Sequence, residues 1–193
     1  CNNCCMEILL QKLTLSFWVK SNKTGTYIVV FRKLSNTTYH LVHEYTIDAA
    51  NTWEKKVITI SPTAGSTSFL TAPVGQIINS NARGLQIGFN LTFGSNYNGA
   101  TNNTWSSNTS HYATSNQVNW MDSTSNNFYL TQVQLELGDT ATPFEHRSYG
   151  DELARCQRYY ETALIYLPSS TALPTNVFFK NSKRATPTLT GSA

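Results

Sequence analysis

From Leu85 to Phe93 the chain places Leu85, Ile87, Phe89, Leu91 and Phe93 at every second position, with Gln, Gly, Asn and Thr between them. A period of two brings such side chains to one face of an extended strand, and a helix would scatter them. The pattern recurs. Leu13, Leu15, Phe17 and Val19 alternate with Thr14, Ser16, Trp18 and Lys20. Thr38 to Ile47 sets Tyr39, Leu41, His43, Tyr45 and Ile47 on one side, and Trp53 to Ile60 predicts a further strand ended by Ser61 and Pro62. Tyr27 to Lys33 differs, because Ile28, Val29, Val30 and Phe31 are apolar on both faces, which predicts a central strand. Turn residues at Ser21 to Gly25 and at Asn36 separate these runs. Strands at this spacing, with no convincing helix before position 149, predict an all-β antiparallel sandwich.

Two stretches interrupt the pattern. Residues 61 to 83 carry Pro62, Gly65, Pro73 and Gly75 and read as loop, with a short edge pairing at Gln76 to Ile78. Residues 95 to 127 form a polar insert in which 21 of 33 positions are Asn, Ser or Thr and Asp122 is the sole member of the Asp, Glu, Lys and Arg set. Val118 to Met121 reads as a short strand within it.

The run Phe128 to Leu137 returns to alternation, with Tyr129, Thr131, Val133, Leu135 and Leu137 on one face and Leu130, Gln132, Gln134 and Glu136 on the other. Gly138 and Asp139 stop it, and Pro143 keeps Thr142 extended. Ser148 then precedes Asp151 by three, acids Asp151 and Glu152 open a short helix, and Arg155 and Arg158 close it, an order that suits the helix dipole. Leu153, Cys156 and Tyr160 share a stripe through which that helix would dock.

The succession VQLELG (133–138), ATPFEHRS (141–148) and DELARCQRYYE (151–161) resembles the closing segment of a jelly-roll module in tailed-phage and prophage tail fibres. LTLSFWVK (13–20) is similar to a strand of the same modules, and Asn51, Thr52 and Trp53 resemble the tryptophan that opens a later one. The resemblance spans positions 13 to about 161. It implies a jelly-roll sandwich over 13–147 and a linking helix over 148–161 that leads into the start of a further, incomplete β domain over 162–193; the opening does not share the resemblance, and 1–12 reads as an N-terminal segment of uncertain order. Thr162 to Leu167 and Val177 to Lys180 would supply a hairpin of that next domain. The resemblance also implies a virion component that acts outside the cell, as a homotrimer, alongside other tail or baseplate proteins. Leu153, Arg158, Tyr159 and Tyr160 are then candidates for the subunit interface, with packing onto their own sandwich as the alternative. The start at Cys1 and the stop at Ala193 read as the ends of an internal fragment of a larger fibre.

Composition narrows the function. The chain has 193 residues, of which 13% are charged against a typical level of about 25%, and its polarity comes from Asn, Thr and Ser. Its net charge of +3 comes from scattered Lys and Arg, with no run suited to a phosphate backbone, so nucleic-acid binding is not expected. No apolar run approaches the roughly 18 residues of a membrane span. Cys1, Cys4 and Cys5 form CxxCC, but no histidine or second CxxC lies near to close a zinc site. His40 and His43, three apart on a strand, point to opposite faces and cannot share an ion. Jelly-roll sugar-binding modules often hold a structural calcium, for which Glu136 and Asp139 are the acids at hand, yet no spaced Asp/Asn loop accompanies them. No metal or cofactor is assigned.

An enzyme is not expected either. Glu44 and Glu54 are the candidate carboxylate pair, with solvated strand charges as the simpler reading, and no GxSxG turn is present. The polar insert, by contrast, carries Tyr97, Trp105, Tyr112 and Trp120 among amides and hydroxyls. A sugar has an apolar C–H face and a hydroxyl rim, so an exposed ring beside amides is its physical complement. These four residues are the candidate carbohydrate-binding residues, for a host-surface polysaccharide bound without catalysis. The alternative is that Trp105 and Trp120 plug the ends of the sandwich or pack against a neighbouring subunit. Two other readings of the whole chain stand beside the fibre: a free-standing carbohydrate-binding or lectin-like module, and a purely structural spacer, for which Trp105 and Trp120 should be buried.

Overall fold

In a computed structural model, which describes residues 12–34, 38–62, 83–108, 110–162, 178–186 and 188, the alternating runs are strands. They are β1 (Leu13–Ser21), β2 (Gly25–Lys33), β3 (Tyr39–Ile47), β4 (Glu54–Ile60), β5 (Leu85–Asn90), β6 (Thr104–Ser106) and β7 (Phe128–Leu137). Pairing is antiparallel throughout and makes two sheets, in the orders β4-β1-β7 and β5-β2-β3-β6. The chain changes sheet between β1 and β2, β3 and β4, β4 and β5, and β6 and β7, so each sheet collects strands distant in sequence. Among the described residues the protein is an all-β sandwich followed in sequence by one short α-helix, α1 (Tyr149–Gln157).

The core lies between the sheets. Leu15, Phe17 and Val19 of β1 meet Tyr27, Val29 and Phe31 of β2, Leu41, Tyr45 and Ile47 of β3, and Ile58 and Ile60 of β4. Leu85, Ile87 and Phe89 close one side. Phe17 stands edge-to-face on Tyr45 at 5.1 Å and on Phe89 at 5.0 Å, tying the two sheets at their middle. Fully burying a side chain of this size stabilises the fold by about 1.5–3 kcal/mol. The centrality expected of β2 holds: β5 and β3 flank it, and its second face, Ile28 and Val30, is buried with Val42 and Ala113. His40 and His43 do face opposite ways, since His43 pairs with core-facing Val29 and His40 with Arg32.

β7 corrects a detail. Ser16 pairs with Gln134 but Trp18 with Thr131, so Gln132 and Val133 together oppose Phe17, a β-bulge with Gln132 at φ 49°. The extra residue exchanges the two faces. Phe128 and Leu130 pair with core-facing neighbours Ser21 and Val19, as Leu135 and Leu137 do with Leu15 and Leu13, while Tyr129 pairs with outward Lys20. The single apolar face expected over 129–137 is therefore split by the bulge.

The chain forms two compact units, Cys1–Phe144 and Glu145–Ala193. In the second, Ser148 caps α1 by accepting a hydrogen bond from the Asp151 N–H. Residues 178–186 fold back on the end of the helix: Lys183 donates to the Gln157 carbonyl and lies 3.3 Å from Glu161, and Arg184 N–H donates to the Arg158 carbonyl. A cation at a helix C-terminus favours its dipole. Of the stripe expected to dock α1, Leu153, Cys156 and Tyr160 are exposed, and Ala154 and Gln157 are the partly buried positions. The pairing expected at 76–78, the cysteines of the N-terminal segment and residues 163–167 and 177 of the expected hairpin lie outside the described residues, and Phe178 to Lys180, which are described, do not form the strand expected there.

Candidate functional site

The polar insert is a built structure rather than a loop tip. β5 and β6 are opposite edges of one sheet, and the connection between them and the return after β6 run over that sheet's outer face, where Ala100 of the first and Ala113 of the second cover Ile28, Val30 and Val42. Its own backbone pairs, with Ala100 N–H donating to the Ala113 carbonyl and the N–H groups of Tyr112 and Ala113 converging on the Tyr97 carbonyl. Glu44 clasps it from below: its carboxylate accepts from Thr114 Oγ1 and from Asn116 Nδ2, and its backbone N–H donates to Asn102. Asn90 Nδ2 donates to the Tyr112 carbonyl, and Val118 N–H donates to the Thr26 carbonyl beside Gly25. Gly25 sits at φ 127°, and a Cβ there would meet Val118 Cγ1 at 2.3 Å, so this approach needs glycine.

The insert thereby gathers aromatic rings at one end of the sheet. Phe93 stacks on Tyr112 at 5.8 Å, Tyr97 lies 6.1 Å from each, and Tyr112 stacks in turn on His40 at 5.2 Å. The Arg32 guanidinium lies 5.2 Å from the Tyr112 ring centre. Tyr97 is 45% exposed and Phe93 38%, whereas His40 is 2% exposed. Burial, with Arg32 and His111 adding repulsion, lowers the His40 pKa to about 4, so this imidazole is neutral at pH 7. The outcome is an apolar ring surface open to solvent, bordered by Asn96 and Asn98 in sequence.

Of the four rings expected to bind sugar, the structure brings Tyr97 and Tyr112 together and sends the other two elsewhere. Trp105 is 3% exposed, belongs to the core and donates its indole N–H to the Ser61 carbonyl at 3.0 Å. That corrects its reading as a sugar platform: on β6 it pairs with Leu41 and so faces inward. Trp120 is half-buried at the other end of the insert, packed against the core, with its N–H on the Asn127 carbonyl. Its segment is a 3-10 turn, Trp120–Asp122, capped by Asn119, and not the short strand expected there.

Sequence reasoning missed Phe93, Arg32 and His40. Phe93 reads as the last residue of a core face, yet β5 ends at Asn90 and leaves it free to turn outward. A second exposed aromatic group was also missed, on the outer face of the three-stranded sheet. There Lys20 Nζ lies 5.3 Å from the Trp53 ring and 4.8 Å from Tyr129, and half-buried Trp18 shares the face. The bulge in β7 is what turns Tyr129 to this side.

The two carboxylates considered for catalysis have structural work. Glu44 holds the insert, and Glu54 accepts from the N–H groups of Asp48 and Ala49 and pairs with Lys56 at 2.6 Å. Burial opposes the charge on Glu54, but these bonds outweigh it and hold the carboxyl below its ordinary pKa. Among the described residues no three His, Cys, Asp or Glu side chains gather as a metal site, and no helix is long and apolar enough to cross a membrane. No family model, curated protein or solved structure matches this chain.

Proposed function

We propose that this protein is a segment of a phage or prophage tail fibre, a virion component that binds a host-surface polysaccharide without catalysis and works as a homotrimer beside other tail or baseplate proteins. The observation that carries the reading is the Phe93, Tyr97 and Tyr112 cluster, in which Phe93 before the insert and Tyr97 within it are exposed, the insert being anchored to the sheet by Glu44 and Asn90. A rigid apolar ring surface loses little entropy when a sugar settles on it, which favours binding by stacking. Three copies in one fibre would raise the avidity of a weak single site.

A glycan array probed with the 193-residue chain tests this. A folded Tyr97→Ala variant should lose about tenfold in affinity, the worth of about 1.4 kcal/mol of stacking. A folded Trp53→Ala variant should keep it. If Trp53→Ala alone abolishes binding, the site belongs to the outer face of the three-stranded sheet. A spacer with no ligand is the second reading, favoured by the burial of Trp105 and half-burial of Trp120. It predicts that neither variant changes anything and that no glycan is retained.

A further inference from the structure

Strand pairing sets Gln86, Arg32, His40 and Ser106 in one row across the outer face of the four-stranded sheet, at the edge of the aromatic cluster. Arg32 is half-buried on the central strand, and its Nε is enclosed without a hydrogen-bond partner. None of the ion pairs among the described residues involves Arg32. The carboxylate on the same face, Glu44, stands four residues along β3 from His40, roughly 13 Å at strand rise, and is engaged by Thr114 and Asn116. His40 beside it is neutral at pH 7 and adds no charge to the row. A guanidinium in this position is a partly desolvated cation with a ring against it and no anion to answer it among the described residues.

We infer that the saccharide taken by this site is acidic, with its carboxylate or phosphate-ester oxygens on Arg32 while Phe93, Tyr97 and Tyr112 hold the sugar ring. This rests on the glycan-binding reading and specifies its ligand class. Arginine suits either oxyanion, since its planar fork matches both. The ring surface then supplies affinity and Arg32 the choice between charged and neutral sugars.

The experiment compares binding of the full chain to uronic-acid oligosaccharides, to the same oligosaccharides after carboxyl reduction, and to a phosphate-bridged sugar polymer. One acidic probe should bind about tenfold tighter than the reduced one, and which of the two does so identifies the oxyanion. That advantage should shrink as salt rises from about 50 to about 300 mM. A folded Arg32→Gln variant should lose the preference, Arg32→Lys should keep part of it, and Tyr97→Ala should weaken acidic and reduced probes alike. Equal binding of acidic and reduced probes, or an Arg32→Gln variant with its preference intact, would overturn the inference. Should Arg32→Gln fail to fold, the wild-type comparison and its salt dependence decide. Neutral binding that is lost in Tyr97→Ala, with no acidic preference, would sink this inference alone; no binding of any saccharide would sink the parent reading too.

Discussion

Trp105 and His40 sit on neighbouring strands of one sheet, facing opposite sides of it, and each makes a different demand. Trp105 fills the core with its largest side chain and satisfies its only polar atom on Ser61. Trp105→Ala should therefore cost about 3–5 kcal/mol, read as a lowered denaturation midpoint at unchanged slope. Any glycan binding lost in that variant would report unfolding. His40 is buried neutral. In the unfolded chain it takes a proton near its ordinary 6.5, whereas in the fold it resists until about 4. Its contribution is whole above about pH 6.5 and is lost as pH falls from there towards 4. Urea denaturation across that window should show a loss on the order of 2 kcal/mol beyond that of a folded His40→Phe variant, which keeps the ring on Tyr112. Equal slopes in the two proteins would refute the assignment.

At the level of elements, the bulge in β7 and the clasp on the insert decide which surfaces the sandwich displays. Gln132 holds a left-handed conformation that β-branched residues adopt only under strain. Gln132→Val should destabilise the protein by about 1–2 kcal/mol in denaturant titrations, and Gln132→Gly should leave stability unchanged or raise it. A Val variant as stable as wild type would mean that the bulge relaxes freely. The clasp is Glu44. Removing its carboxylate in Glu44→Ala should raise hydrogen exchange across 97–116 at least about tenfold while core amides of β1 and β2 stay protected. Uniform loss of protection would make the insert part of the global folding unit.

For the whole molecule, the question is how many copies assemble. Tyr149, Tyr159 and Tyr160 are 82%, 71% and 75% exposed, and Leu153 is 40% exposed on a helix with no buried residue. A tyrosine-rich surface of this kind is the composition that subunit interfaces favour. Light scattering on the purified chain should give the mass of a trimer, and Leu153→Asp combined with Tyr160→Asp should shift it towards 21.5 kDa with the sandwich still folded. A wild-type monomer would instead support the free-standing lectin-like module.

Period-two alternation by itself determined β1, β3 and β5, and a run apolar on both faces determined β2 and its central place, because a strand's facing is a local property of the backbone. Ser148 and the acids after it likewise marked α1, since a cap acts within one turn. Tertiary structure alone decided the rest. A single extra residue at Gln132 reverses every later facing in β7, and nothing local announces it. Nor does composition tell Trp105 from Tyr97, both aromatic and both set among asparagines. One pairs with Leu41 and is drawn inward, the other lies beyond the last paired residue of β5 and stays out. The candidate site is assembled from β2, β3 and the insert, residues about 80 positions apart. Only the pairing of strands, which joins what the sequence separates, could place Arg32 against Tyr112, the half-buried ring of a cluster whose other two rings are exposed.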